Sequence, residues 1–131
     1  MKRYLILPTL LFLVACEAPD PAERRAALHL PPPGFQGDPA QGVQLFSSYC
    51  QSCHGATGYG SEQGPPLVDK VYRPAHHADF AFHVAVRDGV RQHHWGFGDM
   101  PAVADITPEQ TEHVIAFIRR EQLKKEASSN E

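Results

Sequence analysis

Cysteine, methionine and tryptophan are scarce in this chain of 131 residues, which contains three, two and one of them. A structural zinc site takes four ligands, usually from two cysteine pairs, and here only Cys50 and Cys53 are closely spaced. A thioredoxin-like redox pair lies between a strand and a helix, and no stretch shows convincing strand alternation. Both kinds of site are therefore disfavoured.

No apolar run near the N-terminus is long enough to cross a bilayer. Met1-Lys2-Arg3 is basic and Tyr4 to Phe12 is apolar, which is typical of an export signal over residues 1–15. Leu13-Val14-Ala15-Cys16 resembles the lipobox of bacterial lipoproteins, in which the cysteine is diacylated and becomes the new N-terminus. The alternative is an ordinary signal peptide cut nearby, which leaves Cys16 as an odd thiol. Either reading predicts an exported protein.

The chain also lacks a basic patch. Loss of Lys2 and Arg3 with the signal would take the formal charge from −3 to −5. Nucleic acid is therefore not an expected partner, because nothing would neutralise its phosphates. A lipid on this mildly acidic body would hold it at a membrane by hydrophobic anchoring rather than by charge.

Proline is concentrated after the signal. Pro19, Pro21 and the run Pro31-Pro32-Pro33 disfavour regular helix and favour extended backbone, with at most a turn or two of helix between them. Residues 16–37 are predicted to be a lipidated tether, since few large apolar residues are available to pack such a tail on a domain. The folded domain is predicted at 38–125, and 126–131 as a flexible tail.

Cys50-Gln51-Ser52-Cys53-His54 is the central motif. Two thiols three residues apart suit covalent attachment to the two vinyl groups of a haem, with the following imidazole as the proximal iron ligand. A plain disulfide would not explain the adjacent histidine. In bacteria, haem is attached to such pairs outside the cytoplasm, which agrees with the export signal.

Three helices flank this motif. The first is predicted to begin at Asp38-Pro39 and run into Cys50, with Val43, Phe46 and Tyr49 as its apolar stripe. A second covers about Ala78 to Asp88 and ends at Gly89. The last begins at the capping box Thr107-Pro108-Glu109-Gln110. The predicted fold class is all-α.

The chain resembles class I c-type cytochromes. The resemblance covers residues 42–120 and lies in the order of its landmarks: the haem motif with Gly55, Gly58-Tyr59-Gly60, Gly64-Pro65-Pro66-Leu67, Met100-Pro101-Ala102 and a capped final helix. It implies three to four helices around one covalently bound haem c, with the first and last helices crossing. The crossing would involve Gly42, Phe46 and Phe117.

The resemblance also implies a role for each site residue. Cys50 and Cys53 would carry the thioether bonds, with His54 and Met100 as the axial ligands of the iron. The Pro65 carbonyl would accept the proton on His54 Nδ1. Leu67 would pack against the haem, and the Trp95 indole would donate to a propionate or pack beside the ring.

Met100 is also indicated by elimination, because no other methionine remains once the signal is removed. It follows a glycine-rich loop that could approach a flat cofactor closely, and Pro101 favours an extended conformation at Met100. A thioether ligand raises the potential relative to bis-histidine ligation. The alternative is that Met100 only fills a gap in the core.

Histidines are the main ambiguity. We expect His76, His77, His83, His93 and His94 on the distal side of the haem, and His29 and His113 on the surface. The favoured interpretation is an exposed group around a redox-partner surface. One of the paired histidines could instead displace Met100, or the group could bind copper or another metal.

Six-coordinate iron leaves no open position, so the predicted function is electron transfer and not enzymatic catalysis. The expected partners are redox proteins such as a membrane oxidase or dehydrogenase complex. The expected location is the periplasmic side of a bacterial membrane, reached through the Cys16 anchor. The alternative is a haem enzyme or sensor with a labile distal ligand, in which His93 or His94 would act as acid or base.

Overall fold

The computed structural model of the chain describes residues 18–129, so the signal at 1–15 and Cys16 lie outside the described residues. The helices in this range are α1 (Pro21–Ala27), α2 (Pro39–Tyr49), α3 (Gln51–His54), α4 (Asp79–Asp88) and α5 (Pro108–Ser128). A 3₁₀ turn covers Lys70–Tyr72. The part described contains no strand, only an isolated antiparallel bridge. The predicted all-α fold is confirmed.

The predicted helix starts are present, with the expected caps. The Asp38 carboxylate accepts from the Ala40 N–H at 2.8 Å, and Pro39 occupies the first turn of α2. At α5 the Thr107 hydroxyl accepts from the Gln110 N–H while the Gln110 side chain accepts from the Thr107 N–H. These caps satisfy backbone donors that would otherwise lack partners. Among residues 18–129, no helix is both long and apolar enough to traverse a bilayer.

The crossing of α2 over α5 forms the centre of the domain. Phe46 is fully buried, and its ring centroid lies 4.9 Å from that of Phe117. At Gly42 an added methyl carbon would collide with the His113 carbonyl oxygen and lie 2.8 Å from the Phe117 Cβ. Gly42 therefore allows the two helices to approach. The core residues are Phe46, Leu67, Val86, Ile106, Val114, Phe117 and Ile118.

Val43 was assigned to the buried stripe of α2, but this prediction is wrong. Its exposed fraction is 43 %, whereas Gly42 and Phe46 are buried. Gly42 and Phe46 are four residues apart on the face that contacts α5, and Val43 lies at the solvent-exposed edge of that face. Because the glycine has no side chain, an apolar pattern could not reveal the face that contacts α5.

The segment before α2 is not a free tether. From Ala27 onward it lies against α4 and α5: His29 Nε2 is 3.0 Å from the Thr111 hydroxyl, and the Arg87 guanidinium donates to the Ala27 carbonyl at 2.8 Å. Pro31 is buried. The prediction failed because this segment is held by polar contacts and proline burial rather than by large apolar side chains.

His29 and His113 are half-buried rather than surface residues. His113 Nδ1 accepts from the Asp38 N–H at 2.7 Å, and its ring lies edge-on to Phe35 with centroids 5.3 Å apart. A methyl carbon at Gly37 would collide with the Glu112 carbonyl. The chain therefore runs directly along α5 before α2 begins.

The far end of α5 also differs from expectation. The helix continues to Ser128, and the Ser129 N–H donates to the Lys125 carbonyl at 3.2 Å. The tail predicted at 126–131 is therefore helical in its first half, and residues 130 and 131 lie outside the described range. The packed body extends from Ala27 to Ser128.

Candidate haem-binding site

The motif residues lie at the end of α2 and form the single turn of α3. Cys50 ends α2, donating its N–H to the Phe46 carbonyl at 2.9 Å, and His54 ends α3. Residues at positions i, i+3 and i+4 of a helical turn share one face, which is the spacing of Cys50, Cys53 and His54. Both thiols are free, with Cys50 half-buried and Cys53 exposed.

The surroundings of Cys50 keep its thiol protonated. Burial, with a smaller contribution from Cys53, raises the pKa of Cys50 to about 12. Redox-active and zinc-binding cysteines are thiolates with lowered pKa values. Burial of Cys50 therefore argues against a redox-active role for the pair.

His54 is buried and oriented as a ligating imidazole requires. Its Nδ1 lies 2.9 Å from the Pro65 carbonyl oxygen, to which it donates, leaving Nε2 available for coordination. Burial lowers the pKa of His54, although the hydrogen bond to Pro65 acts in the opposite direction. The imidazole is therefore neutral at pH 7, which is the form that binds a metal.

The loop after the motif holds this turn in place. The Ser61 hydroxyl donates to the Cys53 carbonyl at 2.6 Å, and the Gly60 N–H donates to the His54 carbonyl at 2.8 Å. A methyl carbon at Gly64 would lie 2.8 Å from the Cys53 carbonyl oxygen. Sequence reasoning missed Ser61, because a single serine in a polar loop carries no distinguishing signal.

Two side chains of α5 secure the next segment, and these were also missed. Gln122 Nε2 donates to the Leu67 carbonyl at 2.8 Å, and Arg119 donates to the carbonyls of Tyr72 and His77. Leu67, the predicted haem contact, is buried in the same cluster as Phe46. Its position is therefore fixed both by packing and through its backbone.

Trp95 carries a buried polar group that has no acceptor. Its indole Nε1 is inaccessible and makes no hydrogen bond with the described residues. The indole is close enough to Tyr72 to offset part of the rise that burial causes in the pKa of that phenol, but not in hydrogen-bonding geometry. A buried N–H without an acceptor costs about 1–3 kcal/mol, and a haem propionate would supply the missing oxygen.

Met100 follows the loop in a fixed backbone position. It forms two antiparallel hydrogen bonds with Val90, each 2.9 Å long, and its side chain is half-buried. Gly89 ends α4 at φ +77°, and a methyl carbon there would lie 3.0 Å from the Ala102 nitrogen. Gly89 was expected only as a helix stop, but it also lets the Met100 segment approach α4.

The five central histidines do not form a single group, so that expectation is wrong for His83. His83 is buried, its Nε2 lies 2.8 Å from a Glu112 carboxylate oxygen, and its ring centroid is 6.0 Å from that of His29. The other four come together from two loops, as described below. His83 was misplaced because α4 directs it towards α5, which a count of residues from Met100 cannot show.

The donor set therefore fits a haem: two free thiols, an oriented imidazole, and a buried indole N–H awaiting an acceptor. The sequence profile of the family described as "Cytochrome c" matches residues 39–121. The chain belongs to the cytochrome c family. A cytochrome c from Theileria annulata is 42% identical over 48 residues. The aligned region covers 36% of this chain and 42% of that relative, which is less than half of each.

As a cytochrome c, the protein carries covalently bound haem c. Cys50 and Cys53 would hold the haem, and His54 would bind its iron through Nε2. The bound haem supplies an iron that changes between the ferric and ferrous states. The chain itself orients the imidazole, positions the thiols and keeps His54 buried away from water.

Proposed function

We propose that this cytochrome c is a six-coordinate carrier of single electrons, with His54 and Met100 as the axial ligands. The hydrogen bond between His54 Nδ1 and the Pro65 carbonyl is the observation that carries the proposal. It fixes the tautomer and orientation that make the imidazole a strong and permanent ligand. With Nδ1–H held by the Pro65 carbonyl and Nε2 on the iron, neither nitrogen of His54 is left to exchange protons with a substrate, which suits electron transfer.

Met100 is the proposed second ligand because of its chemistry and its support. It is the one methionine between residues 18 and 129, and its backbone is paired on both sides with Val90. Pairing at the backbone limits the movement of the loop, so the thioether can stay bound in both redox states. Little rearrangement between those states favours rapid electron transfer.

The proposed partners are redox proteins of the same compartment, such as a membrane oxidase or dehydrogenase complex. Electron-transfer encounters use small, weak interfaces, which allow fast exchange of partners. With both axial positions filled by protein, an iron-bound substrate would have no site. The function is therefore transfer rather than catalysis.

Replacing Met100 tests the ligand assignment. Met100→His should retain haem and lower the potential by on the order of a hundred millivolts or more, because imidazole favours the ferric state relative to a thioether. Spectra of the wild-type protein are recorded in both redox states. The oxidised form should show the near-infrared charge-transfer band of an iron–thioether bond, and Met100→His should lose this band. Spectroelectrochemical titration measures the potential.

The control is Val43→Ala on α2, an exposed residue outside the loop that approaches the haem. This control should keep both the potential and the near-infrared band. An unchanged potential in Met100→His would remove Met100 from the iron. Rapid binding of carbon monoxide by the reduced wild-type protein would instead favour a haem enzyme or sensor with a labile distal ligand.

We also propose that the protein is exported and attached by a lipid on Cys16 to the periplasmic side of a bacterial membrane. The support is the sequence Leu13-Val14-Ala15-Cys16 after a short apolar segment. Cys16→Ser should move the haem protein from the membrane fraction to the soluble fraction, because the hydrophobic anchor is lost. Fractionation followed by haem staining measures this, and a variant that stays with membranes would contradict the anchor.

A further inference from the structure

Four histidines from two separate loops meet at the surface beside Trp95 and Tyr72. His76 and His77 precede α4, while His93 and His94 belong to the loop that leads to Met100. The ring centroids of His93 and His94 are 4.2 Å apart, those of His76 and His94 are 5.2 Å apart, and Tyr72 lies 5.2 Å from His77. We refer to His76, His77 and His94 as the histidine triad.

The nitrogen atoms of the triad are spaced as metal ligands are. One ring nitrogen from each residue lies within 4.8 Å of the others, and the Nε2 atoms of His76 and His94 are 3.4 Å apart. Zinc–nitrogen bonds of about 2.0–2.1 Å at tetrahedral angles place two ligand nitrogens about 3.3–3.4 Å apart. As a hydrogen bond the same distance is long, since N–H donors normally approach to about 2.7–3.2 Å.

The loops already orient the rings. His77 Nδ1 donates to the Val71 carbonyl at 2.7 Å, which leaves Nε2 with its lone pair free. Metal-binding histidines typically donate their other nitrogen in this way. The backbone N–H groups of His76 and His77 both donate to the Arg73 carbonyl. The backbone carbonyl of His77 accepts from the Arg119 guanidinium. The first loop is therefore held before any ion arrives.

The second loop is supported independently. The Asp99 carboxylate accepts from the Gln92 N–H at 2.9 Å, and the Gln92 side chain accepts from the Gly98 N–H at 2.7 Å. His94 lies between these two contacts. The loop that carries His94 is therefore held independently of the first loop.

Two cations near the triad, Arg73 and Arg119, already have carboxylate partners. Arg73 forms an ion pair with Glu126 at 2.7 Å, and Arg119 forms one with Asp79 at 2.7 Å. Imidazole nitrogens without carboxylates suit zinc and copper rather than magnesium or calcium. Three ligands leave a fourth tetrahedral position for water or a partner's side chain.

We propose that His76, His77 and His94 form a surface site for one divalent transition-metal ion of the zinc and copper type, separate from the haem iron. The ion would join the loop before α4 to the loop that carries Trp95 and Met100. It would replace the weak contact between His76 and His94 with two metal–nitrogen bonds. The site is independent of the proposed axial ligation, because it uses none of the haem-binding residues.

Isothermal titration of the oxidised, untagged holo-protein with ZnCl₂ tests this site; Zn²⁺ is chosen because it has no redox chemistry with the haem. One Zn²⁺ should bind per chain. His76→Gln and His94→Gln should each weaken binding by at least about tenfold, since even changes in outer-shell partners cost about 10–100-fold. His93→Gln is the matched control and should bind Zn²⁺ nearly as well as wild type, because its nitrogens are not among the triad.

Two further measurements make each outcome decisive. With Cu²⁺ in place of Zn²⁺, electron paramagnetic resonance should show nitrogen ligation that is lost in His94→Gln. Binding that survives in both His76→Gln and His94→Gln would show adventitious binding elsewhere and overturn the proposal. If His94→Gln or added Zn²⁺ changed the haem spectrum as loss of an axial ligand does, these histidines would be iron ligands and the separate site would be excluded.

Discussion

Gly42 is the residue that sets the distance between the two longest helices. A side chain there would meet the backbone of α5 at His113 as well as the Cβ of Phe117, and backbone cannot move aside as a flexible side chain can. Alanine would gain about 1 kcal/mol in helix propensity over glycine. Overpacking of a close contact costs about 1–3 kcal/mol, and more where main chain is displaced. The collision should therefore outweigh the gain.

We predict that Gly42→Ala lowers the free energy of unfolding by about 2 kcal/mol, measured by guanidinium denaturation of the holo-protein. Gly96→Ala is the matched control: it introduces the same methyl group into open space, and its effect should stay within about 0.5 kcal/mol. Equal stability of Gly42→Ala and wild type would mean that α2 and α5 can move apart at little cost.

Single residues also show what a sequence can predict. The haem motif, Pro65 and the capping box are recognisable because each combines residue types at a defined spacing with one physical task. Ser61, Gln122 and Arg119 were not recognisable, because they act through backbone carbonyls that lie up to 55 residues away along the chain. A backbone acceptor leaves no trace in the residue type, so such partners appear only in three dimensions.

At the scale of elements, the segment from α1 to α2 depends on a small number of polar contacts. His29 lies between the Thr111 hydroxyl on α5 and His83 on α4, with Arg87 and Glu109 nearby. Burial, together with the charges of His83 and Arg87, lowers the pKa of His29 below its ordinary value of 6.5, while Glu109 acts in the opposite direction. The undocked segment therefore takes up a proton more readily than the docked one.

Docking of this segment should weaken as the pH falls. Above pH 6.5 His29 is neutral in both states, so its protonation does not oppose docking. Below pH 6.5 the undocked state gains stability from protonation of His29, until the pH reaches the lower pKa of the docked state. Hydrogen exchange followed by mass spectrometry measures this. After correction for the effect of pH on intrinsic exchange rates, the amides of residues 20–37 should be less protected at pH 5.5 than at pH 7.5. The core of α5 should not change in this way.

His29→Gln supplies the control for this effect, because its amide can still donate to Thr111 but does not titrate. In this variant the pH dependence between 7.5 and 5.5 should disappear. If the dependence persisted, the titrating group would lie elsewhere, and the contribution of His29 to docking would be contradicted.

The helices themselves were largely predictable, while the connections between them were not. α2, α4 and α5 begin and end near residues with a clear local reason: Asp38-Pro39, Gly89 and Thr107. The docking of the proline-rich segment depends on matching its backbone to α5 through Gly37 and Pro31, which has no apolar periodicity. Composition therefore predicted a flexible tether, whereas the structure shows that the segment before α2 packs against α4 and α5.

At the scale of the whole molecule, a short stretch of chain separates Cys16 from the packed domain. The Asp20 carboxylate caps α1 by accepting from the Ala22 N–H at 2.6 Å, but α1 has no buried residue, and the Ala27 carbonyl makes the first contact with α4. If Cys16 carries the lipid, at about 3.3–3.6 Å per residue the path from Cys16 to Asp20 spans at most about 14 Å. The helical path from Asp20 to Ala27 adds about 11 Å at about 1.5 Å per residue, which gives a reach of about 25 Å.

We therefore predict that the lipidated protein stays close to the bilayer surface. Neutron reflectometry on a supported membrane should find a water layer no thicker than about 25 Å between lipid headgroups and the packed domain. Inserting ten Gly-Ser residues after Glu17 should widen that layer. A thick layer in the unmodified protein would mean that the segment before α2 is undocked there.

Such a short linker between the lipid and the packed domain would limit which redox partners this cytochrome can reach. It could not swing between complexes on opposite sides of the envelope or sample a wide volume, and it would meet only partners that drift past within the same lipid sheet. Lateral diffusion of the anchored protein within the membrane, rather than movement of its linker, would then set how often it transfers an electron.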